Sequence, residues 1–172
     1  MVKHGALLLN QLVVDGALAD HHKQAVMRSA ETLNLADAEF FLLSEGMVTK
    51  EQLLAALSRV YEVPFFDVRG YLFNHDLVTL FDIDFLLHWM LIPIELEEGV
   101  IAMVAGDPAK EGLLEAMDDY TDYTVALRVG IIRDIIDEIR AFSDLPPQDE
   151  TLIEENSDFD EDTADIVDAE SL

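Results

Sequence analysis

Leu42-Leu43-Ser44-Glu45-Gly46-Met47-Val48-Thr49-Lys50-Glu51-Gln52-Leu53 decides how the first third of this chain folds. Apolar residues end a helical run, and a glycine follows at the place where a helix closes on a left-handed residue that only glycine adopts cheaply. Thr49 with Gln52 three places on reads as a capping box, which opens a helix expected at 50–61. The same order occurs earlier as Leu12-Val13-Val14-Asp15-Gly16-Ala17-Leu18, followed by Asp20 and a helix at 23–30. Gly16 and Gly46 are in register, 30 residues apart (46 − 16), so residues 1–61 form a helical subdomain with an internal helix–glycine–helix repeat.

The texture changes at Glu62-Val63-Pro64. A short run at 63–68, bounded by Pro64 and Arg69-Gly70, suits an edge strand. Short helices are expected at 75–81 and 82–87. The runs 91–96 and 100–105 flank Glu97-Glu98-Gly99 and read as a hairpin. Gly106-Asp107-Pro108 then introduces a helix expected at 109–118. A strand at 123–129 and an amphipathic helix at 131–142, with Ile131, Ile132, Ile135, Ile136 and Ile139 on one side, complete residues 62–143. These form a small α+β subdomain of three or four strands. Pro146-Pro147 ends the folded part, and residues 144–172 read as a disordered acidic tail. The fold class is α+β.

Composition restricts function before any motif does. The formal charge is −26 over 172 residues, and residues 144–172 hold twelve acids and no Lys or Arg, which leaves 24 acids against ten bases, or −14, in the body. Such a surface argues against nucleic-acid backbones and anionic membranes as partners. Cysteine is absent, which removes disulfides and thiolate chemistry and suits a cytoplasmic protein. Lys3, the apolar run 6–9 and Ala17-Leu18-Ala19 imitate a signal peptide, but Asn10, Gln11 and Asp15 interrupt the pattern. No stretch reaches the roughly 18 apolar residues of a membrane span.

No catalytic constellation is visible, and the chain is expected not to be an enzyme. Gly106 and Gly112 flank five residues, but Leu113 and Leu114 stand where a phosphate-binding loop needs Lys and Ser or Thr. His4, His21, His22, His75 and His88 have no metal-ligand spacing, and the acid pairs lack the calcium-loop pattern. Neither a metal nor a cofactor is expected from these residues. Phe40, Phe41 and Leu43 exceed what one small core needs and are candidates for a partner surface. In the tail, Phe159, Ile166 and Val167 lie scattered among acids, as in docking segments that fold on a basic partner.

The order of these features resembles the MshEN-like N-terminal domain of type II secretion and type IV pilus assembly ATPases. The residues that carry the resemblance are the glycine repeat through Leu53, then Val63-Pro64-Phe65-Phe66-Asp67-Val68, Leu91-Ile92-Pro93-Ile94, and the run from Val100 to Pro108. The resemblance implies a domain that docks a motor onto its membrane platform, here without the motor, as an adaptor, competitor or regulator. Some members of the family bind cyclic di-GMP through two copies of a motif that opens Arg-Leu-Gly and runs to a glycine, leucines and a glutamine. Leu12 and Gly16 match it in the first copy, and Leu42, Gly46, Leu53 and Leu57 in the second. The opening triplets instead read Leu7-Leu8-Leu9 and Asp37-Ala38-Glu39, and Ala30 and Val60 replace the glutamines. The expectation is therefore a protein-interaction module, with a cyclic di-GMP sensor or an acidic decoy that mimics nucleic acid as alternatives.

Overall fold

A computed structural model describes residues 2–29 and 34–144. Ala30, the acidic segment from 145 onward and, in it, Phe159, Ile166 and Val167 lie outside the described residues. The chain divides after Ala141, and the described part of the second unit is the end of the last helix, 142–144.

Four helices come first: α1 Val2–Val14, α2 Asp20–Ser29, α3 Leu35–Ser44 and α4 Lys50–Tyr61. The two glycines end α1 and α3 in the same way. Ala17 N–H bonds the Leu12 carbonyl at 2.9 Å and Gly16 N–H bonds that of Val13 at 3.0 Å, while Met47 reaches Leu42 at 3.0 Å and Gly46 reaches Leu43 at 3.1 Å. This paired pattern requires a left-handed residue, and Gly16 and Gly46 supply it at φ +77° and +69°. Asn34 caps α3 through Asp37 N–H at 2.8 Å. The capping box of α4 closes in both directions, with Gln52 N–H to Thr49 Oγ1 at 3.1 Å and Thr49 N–H to Gln52 Oε1 at 2.9 Å. α1 packs chiefly on α4 and also on α2 and α3.

The second layer holds α5 His75–Val78, α6 Ile83–Trp89, β1 Leu91–Glu97, β2 Val100–Ala105, α7 Leu113–Tyr120, β3 Thr124–Val129 and α8 Ile132–Asp144. β1 and β2 pair antiparallel across Glu98 (φ +52°) and Gly99 (φ +80°), a two-residue turn with both central residues left-handed, whose twist matches that of the strands. β2 and β3 pair parallel, from Val100 with Thr124 to Ala105 with Val129, so their connection must cross over, and α7 lies in it. The sheet order is β1-β2-β3.

Three expectations need correction. The segment 63–68 forms no strand but a single bridge from Phe65 to Val129, with Phe66 N–H to the Val129 carbonyl at 2.8 Å and Val129 N–H to that of Pro64 at 2.9 Å. Pro64 has no N–H to extend the ladder. Downstream, the Asp67 carboxylate takes Arg69 N–H at 3.0 Å and turns the chain away. The helix expected from 109 begins at Leu113, because Gly112 at φ +85° breaks any helix through it. The helix expected at 75–81 stops at Val78.

The two layers share one core. Leu8, Leu12, Leu35, Leu42, Leu53 and Leu57 cluster with Val129, Ile131 and Ile132, from the end of β3 and the start of α8. Within residues 62–143 two glycines allow close packing: a Cβ on Gly106 would meet Ile132 Cγ1 at 2.6 Å, and one on Gly130 would meet Val104 Cγ1 at 2.7 Å and the Phe66 carbonyl oxygen at 3.0 Å.

Candidate functional site

The leucines of the repeat face inward. Leu12, Leu42, Leu53 and Leu57 are each 0% exposed, and Gly16 and Gly46 are exposed helix ends. Leu7, at the first motif position, is largely exposed, and Leu9 is buried. Asp37, in the equivalent place of the second copy, accepts from Arg133 of α8 at 3.4 Å.

Glu39, at the third position of the second copy, is 0% exposed. Its place follows from helical period, since Leu35, Glu39 and Leu42 fall on one face of α3, the face that enters the core. Its Oε1 accepts the Ile132 N–H at 2.9 Å, in the first turn of α8, where backbone amides have no partner within the helix. Its Oε2 is buried and has no hydrogen-bond partner among the described residues. Asp107 Oδ1, the Tyr61 hydroxyl and His4 Nδ1 are buried polar atoms as well. Asp107 is 3% exposed, and the His4 and Tyr61 rings lie 5.3 Å apart.

Burial pushes the Glu39 carboxyl well above its usual range; the bond from Ile132 N–H opposes the shift, and Asp134 and Asp107 add to it. Burial also raises the Tyr61 hydroxyl, to which the charge of Asp107, a hydrogen bond to that carboxylate and then the charge of Glu39 add. Sequence reading missed this cluster. Glu39 stood out as an acid in place of a motif residue, but its position on the apolar face of α3 is the signal that it is buried.

Phe40, next along α3, points the other way. It is 49% exposed, and the Arg133 guanidinium sits over its ring, 4.0 Å from the centroid. Phe40 borders a groove of about 470 Å³ that Ala36, Ile136, Arg69 and Arg133 also line. Phe41 and Leu43 are half-buried against the core. The structure therefore separates the three partner-surface candidates, leaving Phe40 as the one mostly free of the core. In the wall of the groove, Arg69 bonds Asp134 at 3.1 Å and Asp137 at 2.7 Å, and Lys50 reaches Asp134 at 3.1 Å, which ties α4 and the 67–69 turn to α8.

His21 and His22 are exposed on α2, and no group of three or more His, Cys, Asp or Glu among the described residues is placed to hold a metal ion. No described helix is long and apolar enough to cross a membrane.

A family model described as the MshEN domain matches residues 61–149, the second layer and not the glycine repeat. The fold is similar to that in a structure of MshE with cdg, at TM-score 0.60 and 22% identity, over 78% of this chain and 97% of that one. It is also similar to the N-terminal domain of XpsE, at TM-score 0.55 and 20% identity, over 78% and 92%. At these identities the likeness is one of fold. No curated protein matches the sequence.

Proposed function

This chain belongs to the MshEN domain family, and from that premise we propose that it is a non-catalytic docking module that binds a platform or motor component of a secretion or pilus system in the cytoplasm. The observation that carries the proposal is Phe40. Its helix already buries Leu35, Ala38, Glu39 and Leu42, yet Phe40 itself, directly after Glu39, holds an aromatic ring 49% exposed at the edge of a groove, steadied by a stacked arginine. Aromatic and arginine side chains held in this way are the usual anchors of protein interfaces. The Phe159, Ile166 and Val167 segment is a second candidate contact in the same role.

The test is co-purification of the full chain with the platform and motor proteins of its own system, comparing wild type with Phe40→Ala. A central aromatic anchor is worth about 2 kcal/mol or more, so the variant should lose roughly thirtyfold in affinity while keeping its stability. Equal capture by both proteins, or capture by neither, would defeat the proposal.

A second reading, a cyclic di-GMP sensor, is favoured by the fold shared with MshE, whose structure contains cdg. Against it stands the second copy of the motif. Asp37 brings a carboxylate where a phosphate ligand needs a cation, and the Glu39 side chain occupies the place of a residue that has none. We rank docking first for that reason.

A further inference from the structure

We propose that the buried Glu39 carboxyl is a proton-dependent latch that fastens the helical layer to the start of α8. Glu39 comes from α3 and Ile132 opens α8, elements that no local sequence signal joins. The bond from Ile132 N–H to Glu39 Oε1, at 2.9 Å, spans 93 residues of sequence and ties α3 to α8 in the interior, where the Arg133 contacts to Asp37 and Phe40 tie them at the surface.

The groups that face Glu39 are Asp107 from the loop, Asp134 from α8 and Tyr61 from α4, and His4 of α1 lies behind Tyr61. The nearby cations do not neutralise the Glu39 carboxyl: Lys50 and Arg69 both engage Asp134, each at 3.1 Å. A carboxyl 0% exposed, with one oxygen unpartnered, is costly to ionise. A proton held on Glu39 removes its charge and supplies a donor at the unpartnered oxygen.

The direction follows from linkage. Glu39 is held above its ordinary range in the closed state, so the closed state binds a proton that the open state releases. The latch is therefore strongest below the ordinary carboxylate range. It weakens about tenfold per pH unit above that range, until Glu39 ionises in place. Rising pH loosens α8 from the helical layer. This inference concerns the hold between elements and is independent of which partner the module binds.

The test is native-state hydrogen exchange of the Ile132 amide in the full chain, from the ordinary carboxylate range upward in pH and corrected for intrinsic rates. In the wild type, protection should fall about tenfold per pH unit over a window above the ordinary carboxylate range. Glu39→Gln keeps a carbonyl acceptor for Ile132 and cannot ionise, so its protection should be flat. Should that variant fail to fold, a carbon-detected titration of the wild type answers the same question. Glu39 should then titrate above the exposed Glu95, Glu97 and Glu98. A Glu39 that titrates with those residues, a pH-independent Ile132 amide in the wild type, or a Glu39→Gln protein that keeps the wild-type slope would each overturn the latch.

Discussion

Replacing Gly46 by alanine separates the two roles that the repeat glycines could have, helix cap or ligand contact. At φ +69° the backbone is left-handed, and a Cβ there would meet nothing within 4 Å. Sterics with neighbours therefore contribute nothing, and the whole effect is conformational: about 1–2 kcal/mol for an L-residue in this region. Asparagine tolerates the same conformation better and should recover part of the loss, whereas valine, β-branched, should cost more than alanine. The measurement is urea unfolding, read as a shift in midpoint at constant slope. In a chain of this size each kcal/mol corresponds to roughly 2–4 °C in melting temperature. Gly130→Ala is the contrast, because its Cβ would lie 2.7 Å from Val104 Cγ1 and 3.0 Å from the Phe66 carbonyl oxygen. Its cost is one of overpacking, about 1–3 kcal/mol, and asparagine should make it worse rather than better. A neutral Gly46→Ala, or an asparagine no better than alanine at 46, would refute the cap and with it the structural meaning of the repeat.

Calorimetry with cyclic di-GMP should give a flat titration at high micromolar concentration, and Asp37→Arg alone should not restore binding, because it places a second cation against Arg133; tight binding by the wild type would promote the sensor reading to first place. Arg69→Ala removes contacts to Asp134, Asp137 and Glu138, but at 45% side-chain exposure the loss should stay below about 1 kcal/mol and shrink further in high salt, as chemical denaturation at two urea-compatible salt concentrations will show.

What the sequence made legible is what local chemistry encodes. The left-handed glycines at 16 and 46, the Thr49–Gln52 box and the Glu98-Gly99 turn each act within a few residues of themselves, and each stands in the structure where its signal falls. The misreadings share a different cause. The run 63–68 has the composition of a strand, but pairing depends on a distant edge, and Val129 offers that edge at one point only. The start of α7 was misplaced because Pro108 suits a first helical turn, whereas Gly112 four residues on takes a left-handed conformation that ends the turn before it. The buried bond between Glu39 and the Ile132 amide had no local trace, since the two meet only when both layers have formed. Of the candidate site, the sequence marked Phe40 as an apolar surplus, but only packing distinguished it from Phe41 and Leu43.

Position 39 connects the fold to the choice between functions. In the motif that the resemblance implies, this place holds glycine, a residue that leaves room and offers no side chain. Here a carboxyl fills the room and takes up an amide at the start of α8 that would otherwise face the interior without a partner. Exchanging it for glycine would open space and, in the same step, orphan that amide, at about 1–3 kcal/mol for a buried donor left unsatisfied. A chain that uses position 39 to hold its two layers together cannot also leave it empty for a ligand. The carboxyl at 39 thus belongs to the packing between α3 and α8, and of the two proposed readings it is docking, which asks for no ligand at this place, that agrees with it.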